Sequence, residues 1–145
     1  MVTLRKRKTT TNTPITIAVP KAQQDAIKRV PRQSLQAFKD NKQTPTDWYN
    51  LTFRTRIGFD LAHEVYTNET VVEMTECLNT CLAIKDRYLQ TKLWTATPEE
   101  IESIEIGLDA IDQMQDETTR RVQLVAFKES DVYMKKLIKD AERRI

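Results

Sequence analysis

The chain has 145 residues, of which 39% are hydrophobic and 30% charged, with two glycines, two cysteines and a formal net charge of +2. That length fits one domain with a core of its own, and so few glycines exclude hairpin-rich sheets and Gly-rich phosphate loops. The expected class is all-α: an antiparallel bundle of three principal helices over residues 45–145, preceded by a basic, largely extended N-terminal arm over residues 1–44.

The small net charge hides a segregation. Residues 1–44 carry ten Lys/Arg against two Asp/Glu, and residues 45–145 carry thirteen against nineteen. A basic arm on an acidic body either meets a polyanion or folds back on the body.

Residues 1–13 are basic and Thr-rich with little to bury, which predicts disorder in isolation. The apolar run ITIAV is too short for a secretory h-region, and Pro14 and the Thr run disfavour the amphipathic helix of a transit peptide. From Pro14 the pattern changes: Ile15, Ile17 and Val19 alternate with Thr16 and Ala18 at a strand-like period, Pro20 opens a short helix bearing Ala26, Ile27 and Val30, and Pro31 is expected to end it. The segment ITIAVPKAQQDAIKRV resembles the opening strand and first helix of ribbon-helix-helix DNA-binding proteins. The resemblance covers sixteen residues and implies that Thr16 and Ala18 face DNA bases; Pro31 and the lack of a Gly turn into a long second helix depart from that pattern.

Asp47 is the expected N-cap of a helix from Trp48 to Tyr66, whose two adjacent apolar ladders, one through Trp48, Leu51 and Phe59 and the other through Phe53, Ile57 and Leu61, imply burial on two sides. Gly58 within it points to a close neighbour. A second helix, Glu69 to Leu93, has one apolar stripe containing Met74, Leu78, Cys81 and Leu89, with Lys85 inside the stripe and expected to snorkel. Thr97, Pro98 and Glu100 form a capping-box signature that opens a third helix of about eight turns reaching Val125. Glu129 to Asp131 is the expected cap of a last amphipathic piece.

Catalytic and metal chemistry find little support. His63 is the single histidine, and Cys77 and Cys81, four apart on a helix, do not complete a zinc set and lie too far apart for a disulfide, so both are expected as free thiols of a reducing, cytoplasmic protein. No Walker loop, GxGxxG or nucleophile setting is present, and the expectation is a non-enzyme without metal or cofactor.

Two functional expectations follow. In the first, arm cations Arg5, Lys6, Arg7, Lys8, Lys21, Lys28, Arg29 and Arg32 bind nucleic-acid phosphates or an acidic protein surface. In the alternative, the protein is an adaptor or inhibitor that contacts its partner through Phe53, Arg54, Arg56 and Ile57, with homo-oligomerisation open and no membrane span expected. The acidic row Glu102, Glu105, Asp109, Asp112 and Asp116 reads as a solvated face or as a dock for a basic partner, the protein's own arm included.

Overall fold

A computed structural model describes residues 4–7 and 21–144. Among them are five helices: α1 (Lys21–Lys39), α2 (Pro45–Val65), α3 (Asn68–Thr91), α4 (Pro98–Glu117) and α5 (Arg120–Arg143). The strand-like Ile15–Val19, and with it the DNA-facing half of the ribbon-helix-helix resemblance, lies outside the described residues, as does Lys8.

Local chemistry fixes most of the boundaries. Thr97 accepts from the Glu100 backbone N–H, Glu100 caps back onto the Thr97 N–H at 2.8 Å, and Pro98 fills the first helical position, as the sequence predicts. The start of α2 differs from expectation. Thr44 is the N-cap, and Asp47 is its reciprocal partner in a second capping box, with Pro45 at the first position. The acid thus still neutralises the helix start, but from inside it.

Two expectations are corrected. Pro31 does not end a helix: α1 runs through it as a continuous 19-residue element, not an extended arm. Proline removes one backbone donor and costs about 3 kcal/mol in a helix interior. Here Pro31 is itself buried, and Leu35 and Phe38 behind it join the common core, each burial worth ~1.5–3 kcal/mol. The predicted eight-turn third helix is instead two helices. Thr118 leaves α4 in an extended conformation, Thr119 caps α5 by accepting from the Val122 N–H, and Gln123 Nε2 ties the corner by donating to the Gln115 and Thr118 carbonyls at 2.8 and 3.0 Å.

The central element is α2, which packs against α1, α3, α4 and α5; α4 also packs on α3 and α1, and α5 rests chiefly on α2. Its two apolar ladders are therefore covered from several directions. Leu51 and Leu61 of α2, Met74 and Ile84 of α3, Ile104, Leu108, Ile111 and Met114 of α4 and Met134 of α5 are all essentially inaccessible. Gly58 lets this centre close: a Cβ there would lie 2.7 Å from Ile111 Cδ1 and 3.2 Å from Met74 Sδ. The neighbours demanding glycine are thus side chains rather than backbone.

Leu4 packs on the core, and residues 5–7 lie against the α2–α3 turn. Arg7 N–H donates to the Val65 carbonyl at 2.7 Å and Thr67 N–H to the Arg5 carbonyl at 2.8 Å, around an antiparallel bridge between Lys6 and Tyr66. No helix is long and apolar enough to cross a membrane among the described residues.

Candidate protein-binding surface

The cations assigned to a phosphate partner are placed in three ways. On α1, Lys28 pairs with Asp116 at 2.6 Å and Arg32 with Asp109 at 2.6 Å and Asp112 at 3.0 Å; Lys39, outside the assigned set, pairs with Glu105 at 2.9 Å. Antiparallel packing brings the spacing of the α1 cations into step with the acidic row of α4, so that row is a dock for the chain's own basic segment. Nearer the N-terminus, Lys6 Nζ donates to the Glu117 carbonyl at 2.5 Å, and Arg7 to the His63 carbonyl at 2.7 Å and to that of Glu64. Both side chains satisfy carbonyls at helix C-termini, where positive charge is favoured. Arg5, Lys21 and Arg29 are exposed and have no carboxylate within 4.0 Å among the described residues.

Positive charge without an ion-pair partner also lies in a region to which no binding role was assigned from the sequence. Helix α5 holds seven Lys/Arg against four Asp/Glu. Lys128, Lys136 and Lys139 are exposed on it without an ion-pair partner among the described residues.

The four residues expected at a protein interface separate into two pairs. Arg54 is buried and structural: its Nη2 donates to Asp112 Oδ1 at 2.8 Å and to Gln115 Oε1 at 2.7 Å. Burial pushes the Arg54 guanidinium pKa down, and the Asp112 carboxylate opposes that shift. Arg56 is held by Asp60 at 3.0 Å and lies over the rings of Tyr133 and Phe59, 4.2 and 4.9 Å from their centroids. Asp60 also accepts from Ser130 at 2.9 Å, so this pair fastens α5 to α2.

Phe53 and Ile57, in contrast, form the half-buried floor of a groove of about 370 Å³ between α1, α2 and α5. Its walls are Ile27 and Val30 of α1, 49% and 42% exposed, and Phe127 of α5, 52% exposed. Phe53 touches Tyr49 and Phe127 in tilted ring contacts at 5.9 and 5.2 Å. Of these residues, only Phe53 and Ile57 were legible from the sequence as a contact surface. Phe127 lay between the expected third helix, which reached Val125, and the cap expected at Glu129 to Asp131, and the position of α5 against α2 is what brings it here.

No protein-family model matches the chain, no curated protein is significantly similar to it, and no solved structure matches it. The functional reading therefore rests on the geometry alone. The two thiols, Cys77 and Cys81, are free and buried, and burial raises the pKa of both, that of Cys81 to about 11. Neither is disposed as a nucleophile, which requires a lowered pKa and access. Among the described residues, no three His, Cys, Asp or Glu side chains converge to hold a metal ion.

Proposed function

We propose that the protein is a non-catalytic binding module that receives an amphipathic helix of a partner protein in the α1–α2–α5 groove. The observation carrying this reading is that Phe53 and Ile57 stay half-exposed between Ile27, Val30 and Phe127, while Trp48, Leu51, Leu61 and Ala62 of the same helix are buried in the core. Single exposed apolar side chains are ordinary on a protein surface; a contiguous set of them around a concavity marks an interaction site. Two helical walls and an apolar floor suit bulky side chains presented at i, i+3 and i+4 by a helix, with main-chain polarity already satisfied within that helix.

A photocrosslinking residue at position 127, introduced into the protein in its native cell, tests this. The expected product is a defined partner peptide with helical apolar periodicity, lost when Ile27→Asp is added at an exposed wall position. Scattered adducts, or a crosslink indifferent to Ile27→Asp, argue against the groove.

A second reading, nucleic-acid binding, is favoured by Arg5, Lys21, Arg29, Lys128, Lys136 and Lys139, which have no ion-pair partner among the described residues. Phosphates that recruited Lys28 or Arg32 would compete with Asp116, Asp109 and Asp112. Affinity that falls steeply with salt, and falls further on Lys136→Glu/Lys139→Glu substitution, supports this reading. Salt-independent or absent binding removes it.

A further inference from the structure

A separate cavity of about 380 Å³ opens between the first turn of α2, the last turns of α3 and α5, and the loop that carries Trp94. Its walls are planar. Trp94 stacks on Tyr88 with centroids 4.0 Å apart and planes 5° from parallel, and on Trp48 at 5.1 Å and 25°. The stack is pre-formed: Trp48 Nε1 donates to the Cys81 carbonyl at 3.0 Å, Gln43 Nε2 donates to the Trp94 carbonyl, and the loop runs between the left-handed Lys92 and the Thr97 capping box.

Set in this apolar lining is one cation with little to receive it. Lys85, the cation inside the α3 stripe, lines the cavity with a side chain only 13% exposed, and among the described residues its ammonium meets one carboxylate, that of its sequence neighbour Asp86, 3.2 Å away and 61% exposed. A low-dielectric surround strengthens the bond of such an ammonium to any acceptor that reaches it. Among the described residues Glu142 is the one acid lining the cavity, exposed at the last turn of α5, and Lys92 lies outside with its ammonium 6.0 Å from the Tyr88 centroid. The interior therefore offers flat apolar walls and the ammonium of Lys85.

We propose that this cavity binds a small aromatic carboxylic acid, its ring against the Trp48–Trp94–Tyr88 stack and its carboxylate on the Lys85 ammonium. Such sites combine mostly apolar area with a few fixed polar groups that select the ligand. The site is distinct from the proposed helix groove, and its occupancy does not depend on that reading.

The probes are 1-naphthoate and its neutral analogue 1-naphthalenemethanol, titrated into the full chain. Both tryptophans of the chain line the cavity, so their two indole N–H resonances report directly on it. Saturable shifts of these signals with naphthoate are expected, with the alcohol binding about tenfold or more weakly because it lacks the ion pair. Lys85→Met keeps the aliphatic stem and should abolish that preference while leaving alcohol affinity unchanged. Absence of saturable shifts at millimolar naphthoate, or an undiminished acid-over-alcohol preference in Lys85→Met, would overturn the proposal.

Discussion

Arg54 of α2 and Asp112 of α4 meet at 2.8 Å with the arginine side chain only 4% exposed, and the second oxygen of the same carboxylate holds Arg32 of α1 at 3.0 Å. One acid thereby joins three helices. Its removal strands a buried guanidinium, whereas removal of Arg54 leaves the carboxylate still compensated by Arg32. Asp112→Asn should therefore cost about 3 kcal/mol and Arg54→Met clearly less, as read from urea denaturation midpoints. Equal losses would mean that the pair does not act as a buried charge with a shared partner.

Glycine positions 58 and 107 give a packing prediction. A Cβ at Gly58 meets Ile111 and Met74, and one at Gly107 meets Cys77 Sγ. Helix propensity alone favours alanine by about 1 kcal/mol, and overpacking opposes it by about 1–3 kcal/mol. Gly58→Ala and Gly107→Ala should both lower stability in thermal denaturation, and Cys77→Ala should rescue Gly107→Ala by removing the sulfur it meets. A stabilised Gly107→Ala single variant would show that the α3–α4 contact has room to yield.

Stability should fall at both pH extremes, for different groups. Burial raises the Glu100 pKa, but the Arg87 guanidinium at 2.9 Å and the Thr97 backbone N–H outweigh it and hold the net value below the ordinary carboxylate range. Glu117 is lowered chiefly by Gln113, with Tyr66 assisting against burial. A carboxyl lowered in the folded state contributes fully above its unfolded pKa of about 4.3, and that contribution is lost as pH falls through the folded value. Glu100→Gln should flatten the acid limb of a stability–pH curve below about pH 4.5. At the alkaline end the unfolded chain releases thiol protons near pH ~8.5 that the folded Cys77 and Cys81 retain, so stability declines above that pH. Labelling with a thiol reagent at pH ~8 should follow global unfolding. Rapid labelling of the native protein would contradict the burial of both sulfurs.

Truncation before residue 45 tests whether α1 is a tail or part of the body. It removes Leu35 and Phe38 from the core and leaves Glu105, Asp109, Asp112 and Asp116 without their α1 partners. The truncated chain should be destabilised by several kcal/mol, about 2 for each lost core side chain, with the loss partly relieved by salt as the freed acids are screened. Arg32→Asp should weaken α1 docking, and Asp109→Arg added to it should recover part of that loss. Unchanged melting of the truncated chain would identify α1 as a mere appendage.

What the sequence determined by itself was local: the helical class of residues 45–144, the Thr97–Glu100 capping box, the apolar stripe of α3, the two faces of α2 that need cover, and free thiols at Cys77 and Cys81. Each depends on side chains within a turn or two of one another, where helical spacing dictates who meets whom. The tertiary structure decided where Pro31 is tolerated, that Thr118 and Thr119 break a pattern whose periodicity continues across them, and which cations remain free. A proline's cost is offset only by burial that distant helices provide, and a charge is available only if its antiparallel neighbour brings no counter-charge within reach. Lys28, Arg32 and Lys39 read as an open basic arm until α4 is laid beside them. Phe127 gains meaning only because α5 folds back onto α2 beside Phe53.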